Sequence, residues 1–157
     1  MKPDTVGRSG GVCAVRPPIE GTGLWAEGVI LTAQGERRAC DLRPGDRVIT
    51  RDAGMVTLRG LIRERLYTDL VHIRAGSLGH TRPERDVILP AEQRILVRDW
   101  RAKALFGADQ ALVAAARLVD GGFVTHAGMA TLDLCRLDFG AAHILYLDGL
   151  EVASGPC

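Results

Sequence analysis

The amino-acid sequence predicts an all-β fold, and three observations carry that expectation. Short runs rich in Val, Ile and Leu recur along the chain, turn residues separate them at regular spacing, and few stretches show helical periodicity. Residues 29–50, VILTAQGERRACDLRPGDRVIT, hold one complete unit of strand, turn and returning strand.

Taken in order, residues 1–22 carry Pro3, Pro17, Pro18 and scattered glycines without apolar periodicity. Such a segment cannot bury enough surface to offset the entropy of ordering, and a flexible tail is expected. Val29-Ile30-Leu31-Thr32 suits a strand, and it breaks at Ala33-Gln34-Gly35, where Gly35 can take the positive φ of a tight turn. Glu36, Arg37 and Arg38 lead back, and Pro44 with Gly45 turns the chain into the strand Arg47-Val48-Ile49-Thr50. Residues 55–62 read as one strand with a bulge or bend at Gly60, and Leu70-Val71-His72-Ile73-Arg74 alternates as a half-buried strand. Residues 75–86 form a polar loop.

Val87-Ile88-Leu89 and Arg94-Ile95-Leu96-Val97 flank Pro90, which lacks an N–H and therefore separates two strands or lies at an edge. Residues 100–106, WRAKALF, suit two helical turns stopped by Gly107. Residues 111–119, ALVAAARLV, fit helix or strand, and end at the turn Asp120-Gly121-Gly122. Phe123-Val124-Thr125, residues 129–139 and His143-Ile144-Leu145-Tyr146-Leu147 supply the last strands, with Asp148-Gly149 as a hairpin turn. An internal echo, Leu42-Arg43-Pro44-Gly45-Asp46-Arg47-Val48 against Leu118-Val119-Asp120-Gly121-Gly122-Phe123-Val124, suggests a duplicated unit.

The 157 residues, 46% of them hydrophobic, suffice for one domain with a real core. With 20 basic and 19 acidic side chains there is no excess charge to drive binding to a polyanion, so no nucleic-acid partner is expected. No apolar run reaches the roughly 20 residues of a membrane helix, and no secretory signal is visible. The expected place is therefore the cytoplasm, with export by a route other than the general secretory one left open. Cys13, Cys40, Cys135 and Cys157 are widely spaced, and His72, His80, His126 and His143 show no metal-binding spacing, so neither metal nor cofactor is expected. Cys40 and Cys135 lie among apolar residues and read as small buried side chains.

GERRACDLRPGDRVITRD, PERDVILPAEQRILVRDWRAKALFG, ALVAAARLVDGG and HILYLDGLEVAS follow one another at separations that resemble the Hedgehog/intein (Hint) domain, in its bacterial branch. The resemblance covers residues 23–154, leaving 1–22 and 155–157 as tails. It implies a horseshoe-like all-β fold of two related halves with short helical turns. Active members cleave or splice their own chain: a first-residue Cys or Ser attacks the preceding carbonyl, a Thr-x-x-His or Ser-x-x-His segment assists, and a terminal His-Asn completes splicing in inteins.

Here each matching position has lost its group. Gly23 stands at the first-residue position, Pro90 and Gln93 stand for the Thr or Ser and the His, and Ala153-Ser154 stands for His-Asn. Gln cannot shuttle a proton near neutral pH. Thr22 is the nearest hydroxyl, and Asp133 and Asp138 fall on the strand region before His143, where some members keep an Asp in the catalytic cleft; Thr22, Asp133 and His143 are the remaining candidates. The expected function is a degenerate, non-catalytic binding or structural module. The alternative is a residual acyl shift through Thr22 or a non-standard Cys such as Cys13. The cluster Arg94, Arg98, Trp100 and Arg101 offers an interaction surface for an unknown protein partner; the simpler reading has Trp100 anchoring a corner in the core while the arginines face water. Partner and oligomeric state are not specified by these residues.

Overall fold

The computed structural model describes residues 23–79 and 81–154, so the two expected tails and His80 lie outside the described residues. Twelve strands run in order: β1 Leu24–Trp25, β2 Val29–Thr32, β3 Gly35–Arg38, β4 Arg47–Thr50, β5 Gly54–Thr57, β6 Gly60–Ile73, β7 Val87–Pro90, β8 Arg94–Val97, β9 Ala111–Ala114, β10 Val124–Asp138, β11 Ile144–Leu147 and β12 Leu150–Ala153. They make a four-stranded sheet ordered β1-β10-β6-β7 and a larger sheet ordered β3-β2-β4-β11-β12-β8-β9, with β5 on β4. All pairings are antiparallel. The all-β expectation holds.

Local chemistry explains most turns. Gly35 takes φ 101° between β2 and β3, and Asp148 with Gly149 at φ 50° and 86° closes the β11–β12 hairpin in the mirror-image geometry that matches strand twist. The helix α1 spans Trp100–Phe106; Asp99 caps it by accepting from the Arg101 N–H, and Gly107 ends it in the left-handed conformation. The ambiguous stretch 111–119 resolves into β9 followed by the 3-10 helix Ala115–Leu118.

Two sequence expectations need correction. Gly60 does not bend a single strand across 55–62: β5 stops at Thr57, and Gly60 opens β6, which continues without interruption to Ile73. Likewise 123–125 and 129–139 are not separate strands. One strand, β10, absorbs a bulge between His126 and Gly128, where Gly128 takes φ 83°. Paired along almost their whole length, β6 and β10 form a ribbon that needs little apolar sequence because one side of it faces water.

The duplication is visible in the hydrogen bonds. Gly28 N–H donates to Trp25 O as Gln93 N–H donates to Pro90 O; Ala39 N–H donates to Gly28 O as Ala115 N–H donates to Gln93 O. Cys40 N–H donates to Ala26 O as Ala116 N–H donates to Ala91 O. Each half thus folds a hairpin, β2–β3 or β8–β9, then a 3-10 helix (Ala39–Asp41 in the first half) docked back on the entry turn. The offset from Ala39 to Ala115 is that from Leu42 to Leu118, so the echo in the sequence marks equivalent positions. Between the halves, the core is filled by Leu24, Ile30, Val48, Val71, Leu89, Ile95, Leu145 and Val152, all fully buried.

Candidate functional site

Gly23 enters β1, which lies on β10 with Leu24 opposite Cys135 and Trp25 opposite Leu134. Across β10, Leu134 pairs with Glu64 and Cys135 with Arg63 of β6. This stacking closes the space around Gly23: a Cβ there would lie 2.9 Å from Leu134 Cβ and 3.3 Å from both Leu134 Cδ1 and Glu64 Oε2. Glu64 Oε2 is buried without a hydrogen-bond partner, with Arg136 Nε 3.5 Å away. A cavity of about 390 Å³ opens beside this point, lined by Ala26, Cys40, Arg63, Glu64, Asp133 and Cys135 among others.

Of the two cysteines that line the cavity, Cys135 is held mostly in its protonated form. Burial pushes Cys135 up to about 11, against the opposing pull of Arg63. At neutral pH about one molecule in 10⁴ then carries the thiolate, which is the nucleophilic form. Asp133 is exposed and paired with Arg65 Nε at 2.8 Å, a surface contact of small energetic weight, and Asp138 accepts from Gly140 N–H at 2.8 Å. Thr22 and Cys13 lie outside the described residues.

The second set of expected positions meets at the end of β12. Pro90 ends β7 opposite Leu70. Gln93, 1% exposed, donates through Nε2 to Arg94 O and to Ala153 O, both at 3.0 Å, and its Oε1 is left unpartnered. The next residue, Ser154, accepts from His143 N–H through Oγ at 2.9 Å and donates its own N–H to His143 O at 2.8 Å. His143 Nδ1 lies 3.0 Å from Asp52 Oδ2, and Ile144 N–H donates to Asp52 Oδ1 at 2.9 Å. Burial alone pushes the Asp52 carboxyl up, but the Ile144 N–H and the His143 ring hold it below its ordinary range. The structure therefore brings Gln93, Ala153, Ser154 and His143 together. The contacts they make tie neighbouring backbone groups together, and the His143 ring is engaged with Asp52. Among the described residues no group of three or more His, Cys, Asp or Glu side chains is placed to hold a metal ion.

The arginine and tryptophan cluster departs from the simpler expectation at Trp100. Trp100 is 67% exposed and anchors nothing in the core. Arg101 stacks over its ring at 4.9 Å and pairs with Asp99 at 2.6 Å. Arg98 does not face water freely; its Nε lies 2.7 Å from Oε1 of Glu151, a carboxylate buried in β12. Arg82 at 3.0 Å and Arg51 at 3.6 Å complete three guanidiniums around that carboxylate. Arg94 and Arg98 are exposed as expected, Arg98 with its guanidinium held on Glu151, and Arg101 is half-buried. Sequence reasoning passed over Glu151: an acid within the apolar strand LEVA was the available signal that buried charge needed partners.

A protein-family model described as Hint domain matches residues 22–155. Among solved structures, a bacterial intein-like domain from Clostridium thermocellum is 16% identical, covering 85% of this chain and 98% of that one, at TM-score 0.53. A variant of the gp41-1 intein is 10% identical, covering 83% and 97%, at TM-score 0.54. A variant of the MchDnaB-1 intein is 10% identical, covering 85% and 99%, at TM-score 0.52. At these identities the likeness is one of fold. No curated protein matches the chain.

Proposed function

The chain belongs to the Hint domain family, and from that premise we propose that it is a member without self-processing activity that serves as a folded binding module. The observation that carries this reading is the closed space at Gly23. A nucleophile there needs a Cβ, and Leu134 Cβ at 2.9 Å leaves no room for one without movement of the β1–β10 pairing. Two further features support it. Pro90 and Gln93 stand where the helper residues would be, and the Gln93 amide is spent on backbone carbonyls. Ser154, at the terminal position, is tied to the His143 backbone. The binding face of this reading is the exposed Trp100 ring with Arg101 over it and Arg94 nearby in sequence, the residue types that dominate interface hot spots.

Intact-mass spectrometry of the full chain, incubated at neutral pH with and without dithiothreitol or hydroxylamine, tests the proposal. The expected result is an unchanged mass in every condition. A fragment beginning near Thr22 or Gly23, produced faster with either reagent, overturns it and makes an acyl shift the function; Thr22→Ala and Cys13→Ala variants then identify the attacking group.

A further inference from the structure

Two thiols share one cavity, and the mechanism of the family gives neither a task. Cys40 lies on the 3-10 helix Ala39–Asp41 and Cys135 on β10, yet both line the cavity of about 390 Å³ beside Gly23. Three contacts draw them together. Ala26 N–H donates to Asp133 O and Cys40 N–H donates to Ala26 O, both at 3.0 Å, so one residue links the 3-10 helix to β10. The helix packs on β10 directly. Arg63, the cross-strand partner of Cys135, donates through its guanidinium to the Cys40 carbonyl. The guanidinium therefore stands beside both sulfur-bearing residues, and Arg63 and Cys40 both act electrostatically on the Cys135 thiol. Cys40 is half-buried, its Sγ 3.9 Å from Asp41 Oδ1, and Cys135 is fully buried.

From this arrangement we propose that Cys40 and Cys135 form a reversible intramolecular disulfide, with Cys40 as the entry thiol, Cys135 as the resolving thiol and Arg63 as a positioning residue. The oxidant is a low-molecular-weight disulfide. Cys40 thiolate attacks one of its sulfurs, a protein–small-molecule mixed disulfide forms, and one small thiolate leaves. Cys135 thiolate then attacks Cys40 Sγ, the mixed disulfide breaks, and the second small thiolate leaves. Both protein thiols are oxidised, the oxidant gains two electrons, and the two protons end on the departing thiols. The bond staples the first half of the fold to β10 at the edge of the cavity, and a dithiol reductant reverses it.

Glutathione disulfide serves as the probe, with the full chain carrying Cys13→Ser and Cys157→Ser so that only these two thiols remain. After incubation and trapping with N-ethylmaleimide, the expected product is about 2 Da lighter than the reduced chain and takes up no maleimide, and dithiothreitol restores both reactive thiols. Adding Cys135→Ser should stop the reaction at a glutathione adduct on Cys40, and adding Cys40→Ser should leave Cys135 reduced. Arg63→Gln should slow closure about three- to tenfold while still ending about 2 Da below its own reduced mass, the signature of a positioning role. Uptake of maleimide by both thiols after oxidation, a glutathione adduct that persists on Cys40 with Cys135 present, or a disulfide-linked dimer in place of the lighter monomer would each overturn the proposal.

Discussion

Substituting Gly23 by Ala tests whether the first-residue position is closed by packing. Methyl contacts are comfortable at about 3.5–4.0 Å, so the 2.9 Å approach to Leu134 Cβ is short by roughly 0.6 Å or more. Rotation about χ1 cannot relieve it, because Leu134 Cβ is fixed to the backbone of a strand held on both sides by β1 and β6. Overpacking of this kind costs about 1–3 kcal/mol. Replacing Gly stiffens the unfolded chain and returns about 0.4–1 kcal/mol where the backbone is compatible. The net expectation is destabilisation centred near about 1.3 kcal/mol and reaching at most about 2.6 kcal/mol, read as a fall of about 0.7 M in the urea midpoint for a slope near 2 kcal/mol/M. Equilibrium unfolding followed by tryptophan fluorescence measures it. Leu134→Ala removes Cδ1, so the double variant should lose about 0.5–1 kcal/mol less than the sum of the singles. A midpoint above that of the parent would refute the argument that packing closes the space at Gly23.

Three other perturbations have expected outcomes. Glu151→Ala leaves Arg51, Arg82 and Arg98 without their shared carboxylate and should cost about 3 kcal/mol in urea unfolding, more than Arg98→Ala, which leaves two partners in place. Trp100→Ala should change stability by less than about 1 kcal/mol, whereas a core tryptophan would cost about 3–5 kcal/mol, so the thermal midpoint separates an exposed ring from a structural anchor. Asp120 Oδ1 accepts from the N–H groups of Gly122, Phe123 and Val124, and the Val124 and Gly122 bonds, opposed by partial desolvation, hold its carboxyl below the ordinary range. A depressed folded value adds stability above the unfolded value, near 4, and that stability is lost as pH falls through the folded value. The difference between the parent and Asp120→Asn should therefore be largest at neutral pH and shrink towards pH of about 2; a constant difference would show that the charge plays no part.

Much of the fold was legible because its punctuation is local. Gly35, Gly107 and Asp148-Gly149 each state a backbone conformation that few other residues adopt, and the structure uses all three as read. The family resemblance likewise rested on ordered blocks of sequence, and the positions it marked, Gln93, Ala153 and Ser154, do meet. The β6–β10 ribbon was not legible. Residues 63–69, RERLYTD, have too little apolar character to declare a strand, and their extended state is set by a partner about 60–70 residues away in sequence, as in the Arg65–Asp133 pairing. Trp100 misled for a related reason: its size suggests burial, but whether a ring at a helix start points inward depends on how that helix sits on the sheet.

The sequence by itself determined the strand class, the turns and the family, because these follow from side-chain chemistry and from short-range backbone preference. Tertiary structure alone decided that the space at Gly23 is filled by Leu134, that three arginines gather on Glu151, and that Cys40 and Cys135 share a cavity. Each of these joins residues far apart in the chain, and their distances are fixed by the packing of two antiparallel sheets, which no local pattern records.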